Sequence, residues 1–147
     1  MVSEIRLKLN PITAHLQYAV PLAHGQLLVS HRGRGEHRVC LKGFDEMVVK
    51  AYSGQPGWIV GKLNFPNYLV VDRKGFILVA DSKNNHILLL SPSLAFIRVL
   101  LIGSSLRELR YSSRLHLDEV LGRLYFGEYM SLGGRVSVFK VNDLCQY

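Results

Sequence analysis

Only two cysteines, Cys40 and Cys145, occur in 147 residues, too few for the disulfide framework of a small secreted domain. Cys40 lies inside an apolar run and reads as a small, inert core residue. The opening Met-Val-Ser-Glu-Ile-Arg-Leu-Lys-Leu carries charge where a secretory leader needs an apolar stretch. The most apolar segment, 94–102, is interrupted by Arg98 and falls far short of the ~20 residues of a membrane helix. The expectation is a soluble, cytoplasmic protein with no membrane partner. A hydrophobic content of 48% is that of a globular chain, and the length suits one ordinary domain.

Catalytic signatures are also absent. Gly33-Arg-Gly35 lacks the third glycine and the following helix of a dinucleotide fingerprint. There is no Gly-x-Ser-x-Gly elbow and no phosphate loop. His24, His31, His37 and Cys40 cluster along the chain, but their spacings of seven, six and three fit no structural zinc pattern. His31 and His37 could still face each other at the base of a hairpin. The reading is no enzyme, no metal and no cofactor.

Acidic residues are scarce: eleven Asp plus Glu stand against eighteen Lys plus Arg, a net charge of +7. That balance favours an acidic partner such as nucleic acid or an anionic surface.

What the chain does contain is short apolar runs rich in Val, Ile, Leu and Tyr, punctuated by Gly, Asn, Asp and Ser. This pattern predicts strands. Between Phe65 and Pro92 it gives strands 68–71, 76–80 and 87–90, with a fourth at 96–101. Turns fall at Asp72–Gly75 and Asp81–His86, where Gly and Asn supply conformations that β-branched residues resist. The unit recurs. Gly75-Phe-Ile-Leu-Val-Ala-Asp81 lies over Gly122-Arg-Leu-Tyr-Phe-Gly-Glu128 and over Gly25-Gln-Leu-Leu-Val-Ser-His31. Each copy continues through a polar loop to a strand led by Arg38, His86 or Arg135, and Asp72 has its counterpart in Asp118. A period near 50 residues with four strands per copy predicts β-propeller blades.

Phe65-Pro66, Val71-Asp72, Gly75, Leu78-Val79-Ala80-Asp81-Ser82, Asn85 and Ile87 closely resemble an NHL repeat. The likeness is specific over 65–92 and dilute over 16–140. It implies an all-β fold of NHL-like propeller blades, each a four-stranded antiparallel sheet. That family is most often six-bladed and occurs in tripartite-motif ubiquitin ligases. His86 stands where the family usually has Arg, and His31 and Glu128 replace its Asp.

The expected organisation is an N-terminal arm over 1–15, with a strand at Ile5–Leu9, then a partial propeller over 16–147. Its blades fall at about 16–57, 63–106 and 110–147, the last with strands 113–117, 124–126 and 136–139. Three blades make an incomplete ring, since propellers typically need four to eight. The favoured explanation is a fragment of a longer propeller. A half that pairs with a second copy as a homodimer and a solitary open arc are the alternatives.

Asp81 ends one strand and His86 opens the next; Glu128 and Arg135 repeat the arrangement. Such pairs, with the carboxylate accepting backbone N–H groups, read as structural staples of the loop more readily than as catalytic dyads. In ordinary propeller order one face gathers the loops 30–37, 53–67, 81–86, 103–112 and 128–134. The candidate binding residues there are Arg32, Arg34, His37, Lys62, Lys83, Asn84, Arg107, Arg110, Tyr111 and Tyr129. Trp58 lies in the same loops, or packs between blades. Guanidinium groups among aromatic rings suit an acidic peptide or a phosphate backbone with stacked bases; the same residues also read as ordinary solvated surface. The first reading of function is a non-enzymatic scaffold presenting loops to a protein partner, with a ubiquitin-ligase association implied by the resemblance alone. RNA binding through the basic face is the alternative, and a metal-dependent lyase or hydrolase of propeller type the third.

Overall fold

The computed structural model describes residues 15–33, 35–43, 47–53, 57–101, 114–130 and 133–141. Among them the fold is all-β, with three antiparallel sheets in chain order and only short 3-10 turns besides. The first sheet runs β1 (His15–Pro21), β2 (Leu27–Gly33), β3 (Glu36–Lys42) and β4 (Val48–Tyr52). The second runs β5 (Pro66–Val71), β6 (Ile77–Asp81), β7 (His86–Leu90) and β8 (Phe96–Leu101). The third holds β9 (Arg114–Asp118), β10 (Arg123–Met130) and β11 (Gly133–Lys140). Each strand pairs with its sequence neighbour, so every sheet is a simple meander. No described helix is long and apolar enough to cross a membrane.

Strand bounds differ from the sequence expectation mainly at their ends. β5 starts two residues early, at Pro66, which as the first residue of a strand gives up no ladder hydrogen bond. β10 and β11 extend well beyond the expected cores, forming an eight-residue pairing from Arg123↔Lys140 to Met130↔Gly133. The expected strand at Ile5–Leu9 and the residues 142–147 lie outside the described residues.

The repeat seen in sequence is also a repeat of register. His31 lies opposite Arg38, Asp81 opposite His86, and Glu128 opposite Arg135. The hairpin loops between these pairs differ in length, yet the same acid-or-His and basic positions meet each time. The corners match too: Gly25, Gly75 and Gly122 all have positive φ, at 70°, 85° and 59°. Asp72 Oδ1 accepts the N–H groups of Lys74 and Phe76, and Asp118 Oδ1 accepts those of Val120 and Leu121. These are Asx-type turns in which a carboxylate replaces a backbone acceptor. The register also corrects one expectation: His31 and His37 do not face each other, because His37 pairs with Arg32.

The first strands of the sheets adjoin, β1 against β5 and β5 against β9. Tyr18 and Tyr68 stack there with centroids 3.9 Å apart, and the Arg114 guanidinium lies 5.7 Å from the Tyr68 ring centre. These three residues hold equivalent places, opposite Ser30, Ala80 and Gly127.

The middle sheet is packed on both faces. Ile77, Val79, Leu88 and Leu90 meet Leu28 and Val39 of the first sheet, with Leu63 from the connecting segment. Leu78, Ala80, Ile87 and Leu89 meet Leu115, Leu124 and Phe126 of the third. Double-sided burial explains why β6 and β7 read as unbroken apolar runs, whereas β11 alternates and leaves Val136 and Val138 in solvent.

Candidate binding surface

Strand β6 delivers Asp81 to one end of the middle sheet, where its carboxylate is buried. Asp81 Oδ1 accepts the Asn64 N–H at 2.6 Å, and Oδ2 accepts from Asn84 Nδ2 at 2.7 Å. His86 Nε2 lies 3.2 Å from Oδ2, close enough to pair when protonated but out of line for a hydrogen bond. A buried carboxylate that accepts a bond at each oxygen this way organises the loop.

That loop in turn clamps the segment joining the first two sheets. Asn84 Nδ2 also reaches the carbonyls of Gly57 (2.9 Å) and Lys62 (3.2 Å), its two hydrogens shared among these and Asp81. The N–H and the hydroxyl of Ser82 both donate to the Phe65 carbonyl, at 3.0 and 3.1 Å. Lys83 N–H donates to Asn64 O at 3.0 Å. Phe65 is thereby held at φ 68°, a conformation that costs a bulky residue about 1–3 kcal/mol.

Cationic side chains gather on the ring of Phe65. The Arg32 guanidinium lies 4.2 Å and the Lys83 ammonium 3.8 Å from its centre, and each such cation–π contact offsets part of that cost, by about 0.5–1 kcal/mol. His37 meets the ring edge-on with centroids 5.2 Å apart, and its Nδ1 accepts the Phe65 N–H at 3.1 Å. Burial, reinforced by Lys83 and Arg32 and opposed by Asp81, holds the His37 imidazole below its ordinary pKa. It is therefore neutral at pH 7, as an Nδ1 acceptor must be. Glu36 pairs with Arg38 at 2.9 Å, and neither Arg32 nor Lys83 has a carboxylate partner among the described residues. The cluster carries net positive charge.

Beside it stands an apolar tip. Gly57 N–H donates to Leu63 O at 3.2 Å and Lys62 N–H to Ile59 O at 2.9 Å, closing a turn. The Tyr52 hydroxyl donates to Gly61 O, and Leu63 N–H donates to Ser53 Oγ at 3.3 Å. Burial first, then the Asp81 charge, pushes the Tyr52 phenol up to about 12, so it remains a donor throughout the neutral range. Trp58, Ile59 and Val60 are 75, 69 and 73% exposed. Trp58 therefore does not pack between sheets.

Of the sequence-derived candidates, Arg32, His37, Lys62, Lys83 and Asn84 come together here. Glu128 and Arg135 form the equivalent staple on the third sheet, Arg135 Nε donating to Glu128 Oε2 at 2.6 Å. The backbone of Tyr129 continues β10 opposite Gly134. Arg34, Arg107, Arg110 and Tyr111 lie outside the described residues. Cys40 is buried with its Sγ 3.4 Å from His31 Nε2, and burial pushes the thiol pKa up. Among the described residues no three His, Cys, Asp or Glu side chains are grouped to hold a metal ion. Sequence reading passed over Asn64 and Phe65 as contact residues. A non-glycine residue at positive φ leaves no mark in composition. The tip did leave a signal: an apolar triplet between Gly57 and Gly61, too short for a strand.

At the opposite ends of the strands a cavity of about 300 Å³ lies between the second and third sheets, lined by Asp72, Arg73, Lys74, Leu117, Glu119, Gly122 and Val141. Its mixed charges are partly consumed by the Arg73–Glu119 bridge at 3.6 Å.

No family model and no curated protein matches the chain. Among solved structures, the chain is similar to a protein of unknown function from Bacteroides caccae, at 16% identity and a TM-score of 0.51. The likeness shows the fold alone. It covers 90% of this chain and 48% of the other, so the chain spans about half the length of that protein.

Proposed function

We propose that the protein is a non-enzymatic binding module, a part of an NHL-type β-propeller whose loop face docks an acidic segment of a protein partner. Three like sheets with shared register and adjoining first strands support the propeller reading. The observation that carries the binding reading is the convergence of Arg32 and Lys83, with neutral His37, on Phe65: two cations that have no carboxylate partner among the described residues. Loops on a rigid scaffold are where such recognition concentrates.

RNA is the second reading, favoured by exposed Trp58 standing beside those cations and available for stacking. The Phe65 ring already carries Arg32 and Lys83, which favours carboxylate capture over base stacking at that residue. Arg32→Ala/Lys83→Ala separates the two. An acidic oligopeptide is expected to lose about tenfold or more in affinity, measured by fluorescence anisotropy, with a shallow salt dependence. A steep loss of single-stranded RNA binding with added salt, softened in the double variant, would move the assignment to RNA.

A further inference from the structure

The tip at 57–62 holds three successive large apolar side chains in solvent, and hydrogen bonds at its base hold its backbone. Asn84 grips the carbonyls at both ends, Gly57 and Lys62, while the Tyr52 hydroxyl takes Gly61 and two backbone bonds close the turn. A Cβ added at Gly57 would sit 2.6 Å from Lys62 Cδ, so the Lys62 stem lies along the base of the tip. Lys83 directly precedes Asn84, and residues 57–65 include no acid. Lys62, like Lys83 and Arg32, makes no ion pair among the described residues.

We propose that this tip inserts into the interfacial layer of an anionic phospholipid bilayer, with Lys62 and Lys83 set against lipid phosphates. The inference rests on this loop face being the working surface, though not on its partner being a protein. Three exposed apolar side chains on a hydrogen-bonded turn suit a receiver that yields, and a bilayer interface yields without a matched pocket. Indole rings favour the headgroup level, and aliphatic side chains beside them reach the acyl boundary. Cations at the base of the tip then lie at the depth of the anionic headgroups, where their charge is attractive. That no described helix is long and apolar enough to cross a membrane does not bear on this, since an interfacial loop requires only a few side chains.

Trp58 is the sole tryptophan of the chain, so its emission reports the tip directly. With the full chain, phosphatidylcholine vesicles containing phosphatidylserine are expected to sediment the protein at low salt. They are also expected to shift Trp58 emission to the blue, and brominated acyl chains should quench it. Pure phosphatidylcholine should do much less. Ile59→Ser/Val60→Ser, both at exposed positions, should weaken partitioning by about tenfold or more, and Lys62→Gln should weaken it on the anionic vesicles only. Unshifted emission with no sedimentation overturns the proposal. So does equal binding by the Ile59→Ser/Val60→Ser variant, which would mean charge without insertion. Soluble poly-glutamate shifting the emission as the anionic vesicles do would assign the tip to an acidic protein. Vesicle binding that fails while Arg32→Ala/Lys83→Ala still weakens acidic-peptide binding removes the lipid inference and leaves the binding module standing.

Discussion

Asp81 and His37 order the same short segment, both by accepting hydrogen bonds from its backbone. Asp81 takes the Asn64 N–H and His37 takes the N–H of the next residue, Phe65. The acceptor at His37 exists only while its imidazole is neutral, which ties the segment to pH. Burial lowers the pKa of His37 from its ordinary 6.5, and burial together with Arg38 lowers that of His31. Below pH 6.5 the unfolded chain therefore binds protons that the folded chain resists. Stability is complete above that value and declines as pH falls from 6.5 toward the lower folded values. Urea denaturation between pH 7.5 and 5.5 should show this fall. His37→Asn, whose Oδ1 can accept the same N–H without titrating, should reduce the slope and leave the His31 share. An unchanged slope would mean that His37 titrates as freely folded as unfolded.

At the scale of the element, the hairpin corners were the most legible part of the sequence, because their physical requirement falls on one residue type. Gly75 turns at φ 85°, and an added Cβ would also approach Cβ and Cγ of Pro92 to 3.3 Å. Gly75→Ala should therefore cost about 1–2 kcal/mol in chemical denaturation. Gly35→Ala is the control: its φ is 79° with nothing within 4 Å of the new Cβ, so it should lose only the backbone share, about 1 kcal/mol. Equal losses would show that Pro92 gives way. The Asp81–His86 and Glu128–Arg135 pairings were legible for a related reason: strand alternation fixes which residues meet across a hairpin once its corners are known. The connecting segment was not legible. Its shape comes from Asn84, Ser82 and Asp81, distant in sequence, and from a phenylalanine forced to positive φ. Trp58 illustrates the same limit. Its size argued for burial between sheets, and hydrogen bonds to Gly57, Gly61 and Lys62 hold it outside.

At the scale of the molecule, the middle sheet belongs to two cores at once. Leu88 faces the first sheet and Leu89, its neighbour in β7, faces the third. Interiors this close-packed transmit a loss on one face to the other, because the strands that carry both faces are the same strands. Leu88→Ala should cost about 2–5 kcal/mol through lost burial and the cavity left behind. Val138→Ala on the exposed face of β11 should stay within about 0.5 kcal/mol. The distinguishing readout is hydrogen exchange in β10, whose Leu124 and Phe126 belong to the other core from Leu88. If the three sheets unfold as one unit, Leu88→Ala lowers β10 protection by as much as that of β2. If each interface opens by itself, β2 loses protection while β10 keeps it, and the first sheet is then a separable unit resting on a more stable pair.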